Sequence, residues 1–265
     1  MKMENLPKGL ASSGAKKIER RLELISGGKI LDVATGDGGF IRTLMKTLRD
    51  YDLFIGIDNS KKELESARKH FEGKPVNIME MNAEALEFEN DSFDTVCVAN
   101  SLHHLYRIDK VLAEMKRALK TCGYFVIQEM FCDEEQAEAQ RSDILQHHWD
   151  AEIDSLLGVT HNKTLTKQKI KDIVSSLGLK EVEVFESTHY VKCLFCDEKF
   201  ECENPKNEKI VNQAIKEIDD NLRRIKEYPY LKARTRLEKE GEKLKERIKK
   251  FGSANASYLF IVGKK

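Results

Sequence analysis

At 265 residues the chain is long enough for one α/β domain with a modest helical addition. Basic and acidic residues balance at 45 each, so no global field favours a nucleic acid or an anionic membrane. No run of about 18 apolar residues exists, which excludes a helical membrane span. Met1 to Leu10 contains Lys2, Glu4 and Pro7 and lacks the apolar core of a signal peptide. Cys97, Cys122, Cys132, Cys193, Cys196 and Cys202 are therefore expected as reduced thiols of a cytoplasmic protein rather than a disulfide framework.

In chain order, Gly14 to Ile25 carries Ile18, Leu22 and Ile25 on one face and predicts an amphipathic helix ended by Gly27-Gly28. Ile30, Leu31 and Val33 form the short apolar run of a strand buried on both sides in a parallel sheet. A glycine-rich turn follows, and apolar positions 40, 41, 44, 45 and 48 then predict a helix. Strand, glycine turn and helix together bring backbone N–H groups close to a nucleotide-like ligand, and a side chain at 36 or 38 is expected to stand between them. The register is Asp32-x-Ala34-x-Gly36-x-Gly38. A dinucleotide fingerprint would need glycine at position 41, which is Ile41.

Asp52 to Asp58 reads as a second strand ending in an acid, about 20 residues past the turn, where a carboxylate accepts hydrogen bonds from ribose hydroxyls. Asp58 is equally suited to capping the helix that follows, beside Asn59 and Ser60. Val76 to Glu80 is a third strand. Phe93 to Asn100 is a fourth, apolar enough to be central, and it runs into Ser101-Leu102-His103-His104-Leu105. A helix over 108–120 and a Cys122-Gly123 turn lead to a fifth strand over 124–129.

Four segments in this order resemble the class I S-adenosylmethionine methyltransferases, closest to the ubiquinone/menaquinone-biosynthesis-like group. They are Asp32-Val33-Ala34-Thr35-Gly36, the 82–94 segment beginning Asn82-Ala83-Glu84, the Asn100-Ser101-Leu102-His103-His104 loop, and 112–124 with its Glu114, Arg117 and Gly123. Departures are Ala34 for the first glycine, Glu87 for a proline, and Thr121-Cys122 for Pro-Gly. The resemblance implies a Rossmann-like α/β sheet, mostly parallel with an antiparallel last strand, and a donor site for S-adenosylmethionine built from Asp32, Ala34, Thr35, Gly36, Gly38, Asp58, Asn59, Asn82, Ala83, Glu84 and Asn100. It places Asn82 and Ala83 beside the adenine, although Asn82 also suits an ordinary turn. It puts His103 and His104 nearest the methyl, as candidate bases or as structural residues.

Beyond residue 130 the pattern thins. Residues 131–178 are expected as a helical insertion on the acceptor side, with His148, Trp149 and Asp154 as substrate contacts and His161 as a weaker one. Glu181 to Ser187 and Ser257 to Gly263 predict two strands, which the resemblance makes an antiparallel pair. The long segment between them carries two amphipathic helices over 203–252, folded as a hairpin. That hairpin has about five more basic than acidic residues with the signs interleaved, a solvated face more than a nucleic-acid stripe, and it offers a cover for the site or a homodimer contact. The His/Asp residues of 147–161 fit no recognised ligand spacing, and His189 with Cys193, Cys196 and Cys202 shows a single C-x-x-C, so no metal is expected. The resulting expectation is a single methyltransferase domain over 1–265 with a donor core at 29–130, acting on a small-molecule acceptor. The alternatives are methylation of a protein or RNA, or a SAM-binding module without catalysis.

Overall fold

The computed structural model describes residues 14–187 and 204–265, so His189, Cys193, Cys196 and Cys202 lie outside the described residues. Seven strands form one sheet in the order β3-β2-β1-β4-β5-β7-β6. They are β1 (Lys29–Val33), β2 (Leu53–Asp58), β3 (Val76–Glu80), β4 (Phe93–Ala99), β5 (Leu119–Met130), β6 (Lys180–Ser187) and β7 (Tyr258–Lys264). The first five are parallel, while β7 runs antiparallel to both β5 and β6. This is the Rossmann-like sheet with an antiparallel last strand that the motifs predict.

Alternation along the central strands decides where the helices go. Leu31 and Val33 of β1 face one core and Ile30 the other, so both sides of the sheet are buried. Helices α4 (Ile108–Ala118) and α6 (Lys167–Ser176) cover the first side through Val111, Leu112, Met115, Ile170 and Val174. The other side takes α1 (Gly14–Leu22), α2 (Gly39–Thr47) and α3 (Lys61–His70) through Ile18, Leu22, Ile41, Leu44 and Ala67. Burying side chains of this size stabilises by roughly 1.5–3 kcal/mol each, which makes these two faces the main source of the sheet's stability.

The remaining helices, α5 (Glu138–Leu156), α7 (Glu208–Arg224) and α8 (Leu231–Phe251), build a separate small core. Ala214 and Ile218 of α7 and Leu237, Leu244 and Ile248 of α8 close on Trp149 and Ile153 of α5. The apolar stripes that predict the hairpin are thus used within the chain, against α5, and a homodimer contact would have to draw on other surface. Among the described residues no helix is long and apolar enough to cross a membrane. Several boundaries move by one to a few residues from their predicted places, most of all at the fifth strand. The fifth strand begins at Leu119, because Lys120 to Gly123 continue it, and α4 stops at Ala118.

Candidate active site

The turn after β1 is built from left-handed backbone. Ala34, Gly36 and Gly38 have φ of 55°, 53° and 85°. The Thr35 N–H donates to the Ile57 carbonyl and the Gly38 N–H to the Thr35 carbonyl, both at 2.9 Å, which pins the turn against β2. The two glycines prove to serve different ends. A Cβ on Gly36 would meet nothing within 4 Å, because the residue faces an open cleft. A Cβ on Gly38 would lie 2.2 Å from the Phe71 ring, so Gly38 is needed for packing rather than for a ligand's approach.

Asp32 is fully buried, with the Thr35 hydroxyl donating to it at 2.6 Å and the Cys97 thiol at 3.3 Å. Burial pushes its carboxyl up to about 6, and the nearby charge of Asp58 adds to the shift. Asp32 and the Thr35 hydroxyl therefore brace the turn from inside. Asp58 stands at the carboxyl end of β2 and accepts the Gly36 N–H and the Ser60 N–H, each at 2.9 Å on a different oxygen. A carboxylate offers about four lone-pair directions, so two remain for a ligand. Ser60 itself caps α3, accepting the Glu63 N–H.

Two clefts open at this end of the sheet, meeting at Ala34, Gly36, Asp37, Asn100 and Ser101. One, of about 780 Å³, runs past Asp58, Asn59, Asn82, Ala83 and Glu84 and ends at His104 and Thr160. Asn82 is a turn residue as regards its oxygen, which accepts the Glu84 N–H at 2.9 Å. The Glu84 carboxylate lies 3.8 Å from Lys110. Asn100 holds a left-handed φ of 48° where β4 leaves the sheet, with its N–H donating to the Gln128 carbonyl. The other cleft, of about 430 Å³, is walled by Gln128, Met130, Asp143, His147 and Tyr258. Gln128 is buried with no partner for its side-chain oxygen among the described residues. A buried acceptor left unpaired costs about 1–3 kcal/mol, a cost that a ligand donor would remove. Sequence reasoning passed over Gln128 and His147, since one sits inside an apolar strand and the other beside more conspicuous neighbours.

His103 is wholly buried in the short 3-10 turn over Leu102–His104, and its Nδ1 lies 2.6 Å from Glu129, which also accepts the Leu102 N–H. Burial pushes the Glu129 carboxyl up to about 8 and the His103 imidazole down to about 4, so both lean to their neutral forms. Burial, then the neighbouring imidazoles, brings His147 down to about 3, and His104 moves in the same direction although part of it is exposed.

None of the residues expected to meet a substrate, His148, Trp149 and Asp154, lines either cleft. The structure does not bring Trp149 to either cleft, because it is buried between α5 and α8 with its indole N–H donating to the Leu237 carbonyl at 3.0 Å. Nε2 of His148 lies 2.7 Å from the Thr164 hydroxyl. Asp154 is held by Arg224 of α7 at 2.5 Å and in turn holds Nδ1 of His161 at 2.8 Å.

Residues 31–127 match a family model described as a methyltransferase domain. A demethylmenaquinone methyltransferase of Bacteroides fragilis is 31% identical over 126 residues, 46% of this chain and 51% of the relative. A ubiquinone/menaquinone biosynthesis C-methyltransferase UbiE of Bartonella bacilliformis is 32% identical over 106 residues, 38% of this chain and 41% of the relative. The chain thus spans about half the length of the curated relatives it matches. Among solved structures, the YcgJ protein of Bacillus subtilis superposes with a TM-score of 0.52 at 17% identity, covering 94% of this chain and 97% of that one. Phosphoethanolamine N-methyltransferase 2 of Haemonchus contortus, solved in complex with S-adenosyl-L-methionine, gives 0.53 at 20% identity, covering 94% and 51%. Both likenesses establish the fold.

Proposed function

We propose, from the match of residues 31–127 to a methyltransferase domain, that this chain transfers a methyl group from S-adenosylmethionine to a small-molecule acceptor. The observation that carries the reading is the pair of clefts meeting over Gly36, whose absent Cβ leaves room for a ligand to lie against the backbone. When bound, S-adenosylmethionine supplies an electrophilic methyl on a sulfonium. Asp58 would hold the ribose hydroxyls with its two remaining acceptor directions, Asn82 and Ala83 would border the adenine, and Asn59 and Glu84 complete that end. Gly36 and Asn100 would stand where the two clefts join.

The smaller cleft then takes the acceptor. Residues 131–178 and 203–252 are its outer parts in this reading, while 29–130 holds the donor. Asp143 and His147 are the members of α5 that line the cleft, Gln128 offers a buried acceptor, and Tyr258 a ring. An imidazole pushed down to about 3 is a poor general base at neutral pH. His147 is therefore better suited to aligning the acceptor and excluding water than to removing a proton. His103, enclosed against Glu129, positions the loop; His104 is the histidine of the pair that reaches a cleft.

The test is a panel of acceptors read by release of S-adenosylhomocysteine. Quinols and phosphorylated amines come first, since relatives and neighbours carry names of those chemistries. One acceptor class giving turnover in the wild type and none in Gly36→Val is the expected result. Stoichiometric donor binding with no turnover across the panel would leave a binding module instead of an enzyme.

A further inference from the structure

Four imidazoles from three separate segments converge beside the clefts, of which His104 lines the larger and His147 the smaller. His103 and His104 come from the 3-10 turn after β4, His147 from α5, and His161 from the segment between α5 and α6. Each offers a ring nitrogen, and the four nitrogens lie within 4.8 Å of one another. Ring centroids are 4.1 Å apart for His104 and His161, and 5.3 Å for His103 and His147. We propose that His103, His104, His147 and His161 form a binding site for one divalent transition-metal ion, with zinc the best match.

Two observations beyond proximity point to a ligand. Nε2 of His103 and Nε2 of His161 are buried with no hydrogen-bond partner among the described residues, and the side chains are 0% and 7% exposed. A buried ring nitrogen left unpaired is costly, and a cation between the two removes that cost. The opposite nitrogen of each ring is also fixed by an acidic side chain, Nδ1 of His103 by Glu129 at 2.6 Å and Nδ1 of His161 by Asp154 at 2.8 Å. An outer partner of this kind orients a metal-binding ring. Arg224 fixes Asp154 in turn, and the Asn162 N–H and side-chain amide both donate to the His103 carbonyl, so the two rings are held in place by different parts of the chain.

The donor set selects the ion. Imidazole nitrogens suit zinc, copper, nickel and iron, whereas magnesium and calcium take oxygen ligands. Zinc binds imidazole nitrogen at about 2.0–2.1 Å, so a tetrahedron has edges of about 3.3 Å, and small side-chain rotations close the present spacing to that size. The ion would clamp α5 and the 157–166 segment onto the loop after β4, fixing the acceptor-side wall to the sheet. The site stands on these residues alone and is independent of the reaction proposed above.

The experiment uses the full chain carrying a histidine-free tag, stripped with a chelator and titrated with Zn²⁺ and Co²⁺. The expected result is about one ion per chain by elemental analysis after gel filtration. Cobalt should give the intense visible absorption of a four-coordinate site, and zinc a rise in melting temperature. His147→Ala and His161→Ala should each abolish stoichiometric binding. Asp154→Asn should weaken it about 10–100-fold, the scale for losing an outer partner. Cys193→Ser with Cys196→Ser should leave it unchanged. The proposal is overturned if wild type retains no ion, or if a folded His147→Ala, His161→Ala double variant binds as much as wild type. It is equally overturned if the cysteine variant, rather than the histidine variants, loses the metal.

Discussion

The sheet half of this molecule and its helical half are stabilised in different ways. In the sheet, hydrophobic strands alternate their side chains to both faces and helices cover each. The glycine turn and Asp58 are then left at the strand ends, where ligands bind in such folds. In the helical half, α5, α7 and α8 make their own core around Trp149, and only a few residues of α5 turn back to the sheet. Gln140 is one of these, reaching the Asn255 carbonyl and the Ser257 hydroxyl. The lesson is that the first half holds chemistry at its edge while the second positions a wall, so damage to each should register in different measurements.

Trp149→Ala is the strongest way to separate them. Removing a buried aromatic that also donates to the Leu237 carbonyl should cost about 3–5 kcal/mol of stability, read by denaturant unfolding. The affinity for S-adenosylhomocysteine at a temperature where the variant is folded should stay near wild type. Equal loss of both would mean the halves are energetically one. Next in size is Gly36→Val, which puts a branched side chain into the open cleft at a φ of +53°. Strain and obstruction together should weaken donor binding by at least about 100-fold, roughly 3 kcal/mol. Its far-UV circular dichroism should match wild type.

Asp58→Ala should be milder. It removes the ribose acceptor and also the partner of the Gly36 and Ser60 N–H groups, for about 1.5–3 kcal/mol of donor affinity. A dissociation constant within twofold of wild type would remove Asp58 from the site. The smallest effect is confined to the helical half. Burial pushes the half-buried Asp150 carboxyl up to about 7 from 3.8, against the hydrogen bond from Asn221. Between those values the folded chain holds a proton that the unfolded chain has released, so Asp150 lowers stability as pH rises from about 4 to 7, and the penalty is complete above 7. Asp150→Asn should therefore raise the melting temperature at pH 8, by about 2–4 °C for each kcal/mol recovered, and change it little at pH 4. A gain equal at both values would contradict the assignment.

What the sequence disclosed follows the same division. The strands, the turn and Asp58 are legible because local periodicity and fixed spacing create them. The sequence points Gly38 at the ligand because its neighbour Phe71, just past the end of α3, lies outside any local pattern. Trp149 was read as a contact because α5 is buried on two sides, with Gln140, Ser142 and Gln146 among its buried residues. It thus shows no single apolar stripe to mark a core position. The imidazole cluster was invisible for a related reason: its members are 43 and 14 residues apart beyond the His103-His104 pair, and no motif spans such gaps. Only the fold brings His147 and His161 to that pair.

The central claim, that the joined clefts over Gly36 form a donor site, is tested most directly by calorimetric titration of the full chain with S-adenosylhomocysteine and, separately, with NAD. The account predicts one binding event per chain for S-adenosylhomocysteine, lost in Gly36→Val, and no heat from NAD. No binding of S-adenosylhomocysteine, or NAD bound equally well at the same site, would contradict it.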